Sequence, residues 1–298
     1  MSDAAVRLGY LAETVRLLYP GSGSPRAYTV LPHAAVPRRL APRRWWHLGS
    51  QVVVPVEGSI AAHLSEIFHR PVETVLHVRP ALRANRKPIL EARADGRRLA
   101  FVKIGDSARA RELITTEAAA LRRLAGLPLS TIATPSVLHH GDWRGLSVLA
   151  LSPLPVRRGR VPEPLLLAAV KEIAGTGGAR PAWHGDLAPW NICRSRDGRL
   201  LVWDWERYEV GVPYGFDAVH HFFQRALRRM EPPVAARACV AGAVRLLAPL
   251  GLSAATARQT ALRYLIALAD RHAADGHAPL GPPESWLNPA VDHEELLT

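Results

Sequence analysis

Cysteine and lysine are the scarce residues of this 298-residue chain. Cys193 and Cys239 are the only cysteines, too few for a secreted disulfide framework and in no spacing that would build a zinc site. A reducing compartment is expected. Lys87, Lys103 and Lys171 are the only lysines, so the excess of 38 basic over 26 acidic residues, a formal charge of +12, is nearly all arginine. An Ala/Arg/Pro-rich composition accounts for that, and the excess reads as solvated surface before it reads as a nucleic-acid or membrane footprint. Near the start, Asp3, Arg7, Glu13 and Arg16 interrupt the apolar stretch that a signal peptide needs, so a cytoplasmic location is expected. The most apolar later region, 239–257, carries Arg245 and two glycines, and its Leu/Ala pattern predicts a packed helical hairpin rather than a membrane span. The length suffices for one large domain or two ordinary ones, with a core that needs no staples.

Residues 1–70 are rich in proline and arginine, with a loop signal at 20–25 and a tryptophan pair, Trp45-Trp46. They hold no catalytic motif and are expected to form an N-terminal extension. The tryptophans are expected to be core or interface anchors, ligand stacking being the less favoured alternative. From residue 71 the texture changes to strands, at 72–78, 89–94 and 98–104, the last two joined by the turn pair Asp95-Gly96. A helix at 108–125 follows, with Leu113, Glu117, Leu121 and Leu124 at helical spacing, then strands at 137–140 and 146–151. Pro153 and Pro155 open an arginine-rich connector, 156–160, beyond which helices are predicted at 165–174, 218–230, 234–247 and 255–274, interrupted by a hairpin of 192–194 with 200–203. The expectation is an α+β chain: a small antiparallel sheet with its helix over 71–152, and a mostly helical part over 153–298.

The segment that carries chemistry is His184-Gly185-Asp186-Leu187-Ala188-Pro189-Trp190-Asn191, followed after the hairpin by Asp204-Trp205-Glu206. It resembles the catalytic core of the aminoglycoside phosphotransferase and choline kinase family, a branch of the protein-kinase-like fold. The resemblance implies a bilobal kinase-like architecture and phosphoryl transfer, in which the protein mainly positions two oxygens and neutralises phosphate charge. By that resemblance Asp186 takes the proton of the acceptor hydroxyl, Asn191 and Asp204 offer oxygens to Mg2+, and His184 orients the loop. The arginine of the protein-kinase catalytic loop is replaced by Gly185. Asp217 matches a family aspartate that buttresses the metal-binding loop, and Cys193 is expected to pack within the hairpin.

Lys103, between Val102 and Ile104, and Glu117 are the implied ion pair that positions the nucleotide phosphates. Glu112 competes for that role, but five residues turn a helix by about 140°, and only Glu117 shares the stripe of Leu113, Leu121 and Leu124. The loop at 80–88, where the family covers phosphate, has no glycine; Arg83, Arg86 and Lys87 either supply charge there or form a basic solvated turn. The connector 153–184 is short for the family, which leaves the acceptor site open. Asp292, Glu294 and Glu295 would suit a polycationic acceptor, or form a solvated end.

The expected function is therefore an O-phosphotransferase using Mg2+ and ATP, with GTP left open as its substitute because hinge recognition of the base is largely by backbone groups. The expected partner is a small-molecule hydroxyl, an antibiotic, sugar or other metabolite, with no nucleic acid and no membrane span. Two readings from other classes stand beside it: a nucleotide-binding pseudokinase, which the full residue set opposes, and a basic scaffold for nucleic acid or anionic membrane, which only the charge favours.

Overall fold

Turn pairs and alternating apolar residues set the strands of the first half of the chain, and a helical period sets the second. In the computed structural model, which describes residues 3–21, 23–31, 38–78, 86–156, 159–276 and 280–295, the chain begins with α1 (Asp3–Leu18), β1 (Pro25–Leu31), β2 (Arg39–Pro42), β3 (Gln51–Pro55), α2 (Ile60–Phe68) and β4 (Glu73–His77). Next come β5 (Ile89–Ala94), β6 (Arg97–Gly105), α3 (Ala108–Ala125), β7 (Ile132–Ala133), β8 (Val137–Trp143) and β9 (Leu146–Leu151). The remainder is α4 (Glu163–Gly175), β10 (Ala182–Trp183), β11 (Ile192–Arg194), β12 (Leu200–Val202), β13 (Glu209–Val210), α5 (Phe216–Ala226), α6 (Pro232–Leu247), α7 (Ala254–Ala274), α8 (Pro283–Trp286) and α9 (Asn288–Glu295). The chain divides into two compact units, 1–114 with 136–153, and 115–135 with 154–298.

The first unit is built on an eight-stranded antiparallel sheet of order β3-β1-β2-β4-β5-β6-β9-β8. Successive side chains of a strand point to opposite faces. Leu90 and Ala92 of β5, Ala100, Val102 and Ile104 of β6, and Val148 and Ala150 of β9 therefore share one core with Leu11 and Leu18 of α1 and Ile60 and Leu64 of α2. Lys103 lies on the other face of β6, in register with Ile89 and Leu149. Asp95 and Gly96 both take positive φ, the conformation that a two-residue hairpin with native twist requires.

This sheet is larger than the sequence suggests. Tyr28, Leu40 and Val54 carry β1, β2 and β3 into the same core, so 25–55 belongs to the sheet unit and no unit boundary falls at residue 70. Short strands rich in proline and arginine give little periodicity to read, which is why the extension looked separate. Trp45 and Trp46 lie outside any core, both exposed in the loop after β2.

The second unit is mostly helical. The segment Pro232–Leu250 is long and apolar enough to cross a membrane, yet Ala235, Ala236, Cys239, Val240, Ala243 and Leu247 of α6 are buried, and α6 and α7 form the hairpin expected for 239–257. Two small sheets accompany the helices, β10 with β13 and the trio β11-β12-β7. Glu172 of α4 fixes that trio: its carboxylate accepts from the amides of Ser130, Thr131 and Ile132 at 2.7–3.0 Å, which seats β7 parallel to β12. Partial burial alone would push this carboxyl up, but the amides outweigh it and hold it below the ordinary range.

Candidate active site

The catalytic-loop residues and the hairpin all belong to the second unit. Antiparallel register pairs Ile192 with Val202, and the Trp203 amide donates to Asn191 O at 3.1 Å, so Asn191 and Asp204 come to the same end of the β11–β12 hairpin. Asn191 donates from Nδ2 to both the backbone oxygen and Oδ2 of Asp186, each at 2.9 Å. Both amide hydrogens are thereby used on Asp186, and the amide oxygen, which can only accept, is the atom left to meet a cation. Asp204 sits at φ +73°, a left-handed conformation costly for a residue with a side chain and concentrated at functional sites.

Buried His184 is held as a neutral ring. Its Nδ1 accepts from the Asp186 amide at 3.1 Å, so Nε2 carries the proton and donates to Trp203 O at 3.1 Å. Complete burial pushes its pKa down to about 4, against the pull of Asp186 and Asp204. His184 thus ties the two loops together, and no proton transfer is asked of it. Gly185 follows at φ +81°, and a Cβ there would stand 2.2 Å from Arg207 O, so both backbone and space demand glycine where protein kinases carry arginine.

Helix α5 grips the loop from one face. Asp217, His220 and His221 stand at i, i+3 and i+4. Asp217 accepts from the amides of His184 and Gly185 at 2.7 and 3.3 Å, His220 Nε2 lies 2.9 Å from Asp186 Oδ1, and His221 Nδ1 donates to Leu187 O at 3.0 Å. Burial pushes the Asp217 carboxyl up to about 7 while the two amides pull it down; the same burial drives His221 down to about 4 and lowers His220 as well. Two amide donors and the nearby Arg271 guanidinium suit a carboxylate at Asp217, and on that geometry we take it as ionised at neutral pH.

His220 continues into a chain of contacts. A carboxylate can only accept, so Nε2 donates to Asp186, and Nδ1 accepts from Tyr264 OH at 3.0 Å. Asp186 therefore has one oxygen on His220 and the other on Asn191, with its side chain still one-third exposed. Arg271 of α7 donates to Gly185 O and lies over the Trp183 ring at 5.0 Å, closing the frame behind the loop. His220, His221, Tyr264 and Arg271 were not singled out in the sequence. The available signal was the i, i+3, i+4 spacing after Gly215, which places Asp217 and both histidines on one face.

Glu117 is fully buried in the same unit, where its Oε1 accepts from the Trp205 amide at 3.3 Å. One carboxylate oxygen each from Glu117, Asp204 and Glu206 lie within 4.8 Å of one another. Such a cluster of hard oxygens suits Mg2+ or another cation of that class. Cys193 is buried in the hairpin, as expected. Glu112, in the first unit, bonds Arg109 at 2.7 Å on the surface.

Of the residues expected at the nucleotide, Lys103, Arg86 and Lys87 lie in the first unit and Glu117 in the second. Lys103 is only 8% exposed. Arg86 lies over the Tyr10 ring at 4.8 Å and meets Glu13 of α1 at 3.3 Å, and both Arg86 and Lys87 act electrostatically on half-buried Asp106. Arg83 lies outside the described residues. Of Asp292, Glu294 and Glu295, only the backbone in α9 is described.

No protein-family model matches the chain, and no curated protein matches it. Among solved structures it is similar to a fructosamine-3-kinase-like protein of Haemophilus somnus, at 12% identity and TM-score 0.39, covering 69% of this chain and 96% of that one. It is also similar to the bifunctional kinase-methyltransferase WbdD, at 15% identity and TM-score 0.36 over 60% of this chain and 42% of the other, so it spans less than half of WbdD. A third is the PknI kinase domain of Mycobacterium tuberculosis, at 16% identity and TM-score 0.34, covering 60% and 90% of the two chains. The chain's own architecture is α+β, an antiparallel sheet followed by a mostly helical part.

Proposed function

We propose that this protein is an ATP- and Mg2+-dependent O-phosphotransferase acting on a hydroxyl of a small molecule. The observation that carries the reading is the double hydrogen bond from Asn191 to Asp186. It fixes a partly exposed carboxylate for an acceptor hydroxyl and leaves an amide oxygen for a cation. With His220 on one oxygen and Asn191 on the other, Asp186 is oriented before substrate arrives, and it accepts the hydroxyl proton as that oxygen attacks phosphorus.

Asn191 and Asp204 would hold the metal, with the Glu117 and Glu206 carboxylates beside Asp204. Bound there, Mg2+ would supply charge neutralisation to the transferring phosphate. The reading gives Lys103 the nucleotide phosphates and lets GTP stand in for ATP. The acceptor is a sugar, antibiotic or other metabolite.

The test is acceptor-dependent ADP formation across a metabolite and antibiotic panel, with mass spectrometry for a phosphate adduct. Turnover with at least one hydroxyl acceptor is expected, and magnesium-dependent nucleotide binding should vanish in Asp204→Ala. Nucleotide binding without any turnover would make the chain a pseudokinase. No nucleotide binding at all would remove the reading altogether.

A further inference from the structure

The loop between β2 and β3 breaks the rule that large apolar side chains find cover. Trp45 is 89% exposed, Trp46 58% and Leu48 fully exposed, three large apolar side chains within four residues. Val53, on the edge strand β3, adds another at 62%. Scattered single apolar residues are ordinary on a surface, but a contiguous group marks an interaction site. Among the described residues neither ring belongs to the core: Trp45 and Trp46 touch each other edge to face at 5.4 Å, and Trp46 touches His47 at 5.8 Å.

The surrounding charge has one sign. From Glu13 to Glu57 the sequence has no other acidic residue, and that stretch carries Arg16, Arg26, Arg38, Arg39, Arg43 and Arg44. Arg43 and Arg44 adjoin the tryptophans in the loop itself, Arg44 exposed and Arg43 half-buried, whereas exposed Arg38 and Arg39 lie at the other end of β2, where Arg39 pairs with Leu31 and His77. Arg44 also reaches Glu73, which takes Arg26 as well, so Glu73 offsets part of that charge at the base of the loop. An apolar tip with amphipathic indoles and a basic collar matches a bilayer whose headgroups are anionic: indole rings favour the headgroup level and arginines meet lipid phosphate. A single-stranded nucleic acid would instead want ring faces presented as a stacking platform. Here the two rings are perpendicular, and their neighbours Leu48 and Val53 are aliphatic.

We propose that the loop 43–50 docks the protein on an anionic lipid surface, with Trp45, Trp46 and Leu48 entering the headgroup layer and Arg43 and Arg44 meeting its phosphates. The inference uses only the sheet unit and does not depend on the phosphotransferase reading.

The full chain is mixed with vesicles of phosphatidylcholine alone or with about one-third phosphatidylglycerol, and binding is read by co-sedimentation. Binding to the anionic vesicles is expected, falling with salt and weak on the neutral ones. The double variant Trp45→Ala/Trp46→Ala should bind at least about tenfold more weakly, and Arg43→Ser/Arg44→Ser should lose about fivefold for each arginine removed. Because the two rings contribute nothing to the core, urea unfolding of the double variant should superimpose on wild type, which separates lost docking from lost folding. A second readout needs no variant: lipids brominated near the headgroup should quench wild-type tryptophan fluorescence. No sedimentation with anionic vesicles, or no quenching, overturns the proposal. So does a double variant that binds as wild type, or tighter, tryptophan-dependent binding of single-stranded DNA that displaces the vesicles.

Discussion

In the helical unit Trp183, Trp205 and Trp286 are enclosed by the structure, whereas Trp45 and Trp46 in the sheet unit join no core among the described residues. Trp205 is fully buried, with its ring 4.5 Å from that of His184, its Nε1 donating to Val202 O and its amide donating to Glu117. Trp183 lies against Phe216, His220, Tyr264 and Arg271, and Trp286 packs on Phe223. These rings surround the segment 184–191 and keep its polar groups in one arrangement. Trp45 and Trp46 make no such frame. The same side chain supplies rigidity where it is enclosed and an adhesive surface where it is not, so composition alone cannot tell the two uses apart.

The contrast is sharpest at the group the frame serves. Asp186→Asn keeps the size of the side chain and removes its charge, so the fold and the nucleotide affinity should stay. Turnover should fall by about two to four orders of magnitude. Single-turnover phosphate transfer and calorimetric ATP titration measure the two quantities, and near-normal turnover would take Asp186 out of its role. Replacing the frame itself should act on stability. Trp205→Ala removes a fully buried side chain that only Trp286 equals in size among the described residues of the unit, and should cost about 3–5 kcal/mol in urea unfolding. A loss below about 1 kcal/mol would mean that the site is not organised around that ring.

The frame also predicts how the site answers acid. His184 is held at about 4, below its ordinary 6.5, so its contribution to stability is present above pH 6.5 and lost as pH falls through 4. His221, also near 4, acts in the same window and sense. A shift of that size for one fully buried ring is on the order of 3 kcal/mol. Histidine NMR should show the His184 ring neutral, with its proton on Nε2, down to about pH 5. A ring titrating near 6.5 would contradict the burial and the contacts that fix it.

Much of the element pattern could be read directly. The helix at 108–125, the hairpin after Asn191, the Asp95-Gly96 turn and the pair α6 and α7 fall where periodicity and turn residues put them, because each is specified by neighbours in sequence. Asp186, Asn191 and Asp204 were legible for the same reason: one short hairpin joins them. What could not be read was set by distant partners. β1 to β3 join the larger sheet only through the pairing of β2 with β4, Leu40 with Leu76, and the Tyr264–His220–Asp186 contacts span 44 and 34 residues. The exposure of Trp45 and Trp46 depends on what the sheet leaves uncovered, which no local pattern encodes.

Between the two extremes lies a residue that touches the reacting carboxylate without facing the acceptor. His220 fixes one oxygen of Asp186 and is itself fixed by Tyr264, so it is a positioning residue. His220→Ala should lower kcat by about one to two orders of magnitude, as expected when a reacting group is misplaced by a fraction of its reach, and leave the ATP Michaelis constant nearly unchanged. Its distinguishing signature is that split between kcat and the ATP Michaelis constant. Tyr264→Phe should show the same direction with a smaller effect. A Michaelis constant that rises as much as kcat falls, or a loss of stability large enough to account for the lost activity, would reduce His220 to packing.

The smallest effect closes the comparison. Trp45→Ala deletes an entire indole, the same change in kind as Trp205→Ala, yet the ring is already in water and forms no core contact whose loss leaves a cavity. Its edge-to-face contact with Trp46 is the one ring contact removed, and at an exposed site such a pair is worth little beyond the area it covers. The change in unfolding free energy should stay within about 0.5 kcal/mol in either direction. Removing exposed apolar surface can even raise the urea midpoint slightly, because the folded state no longer hydrates that ring. If the variant instead lost as much stability as Trp205→Ala, the loop 43–50 would be covered in solution, and the distinction between a framing and a docking tryptophan would collapse.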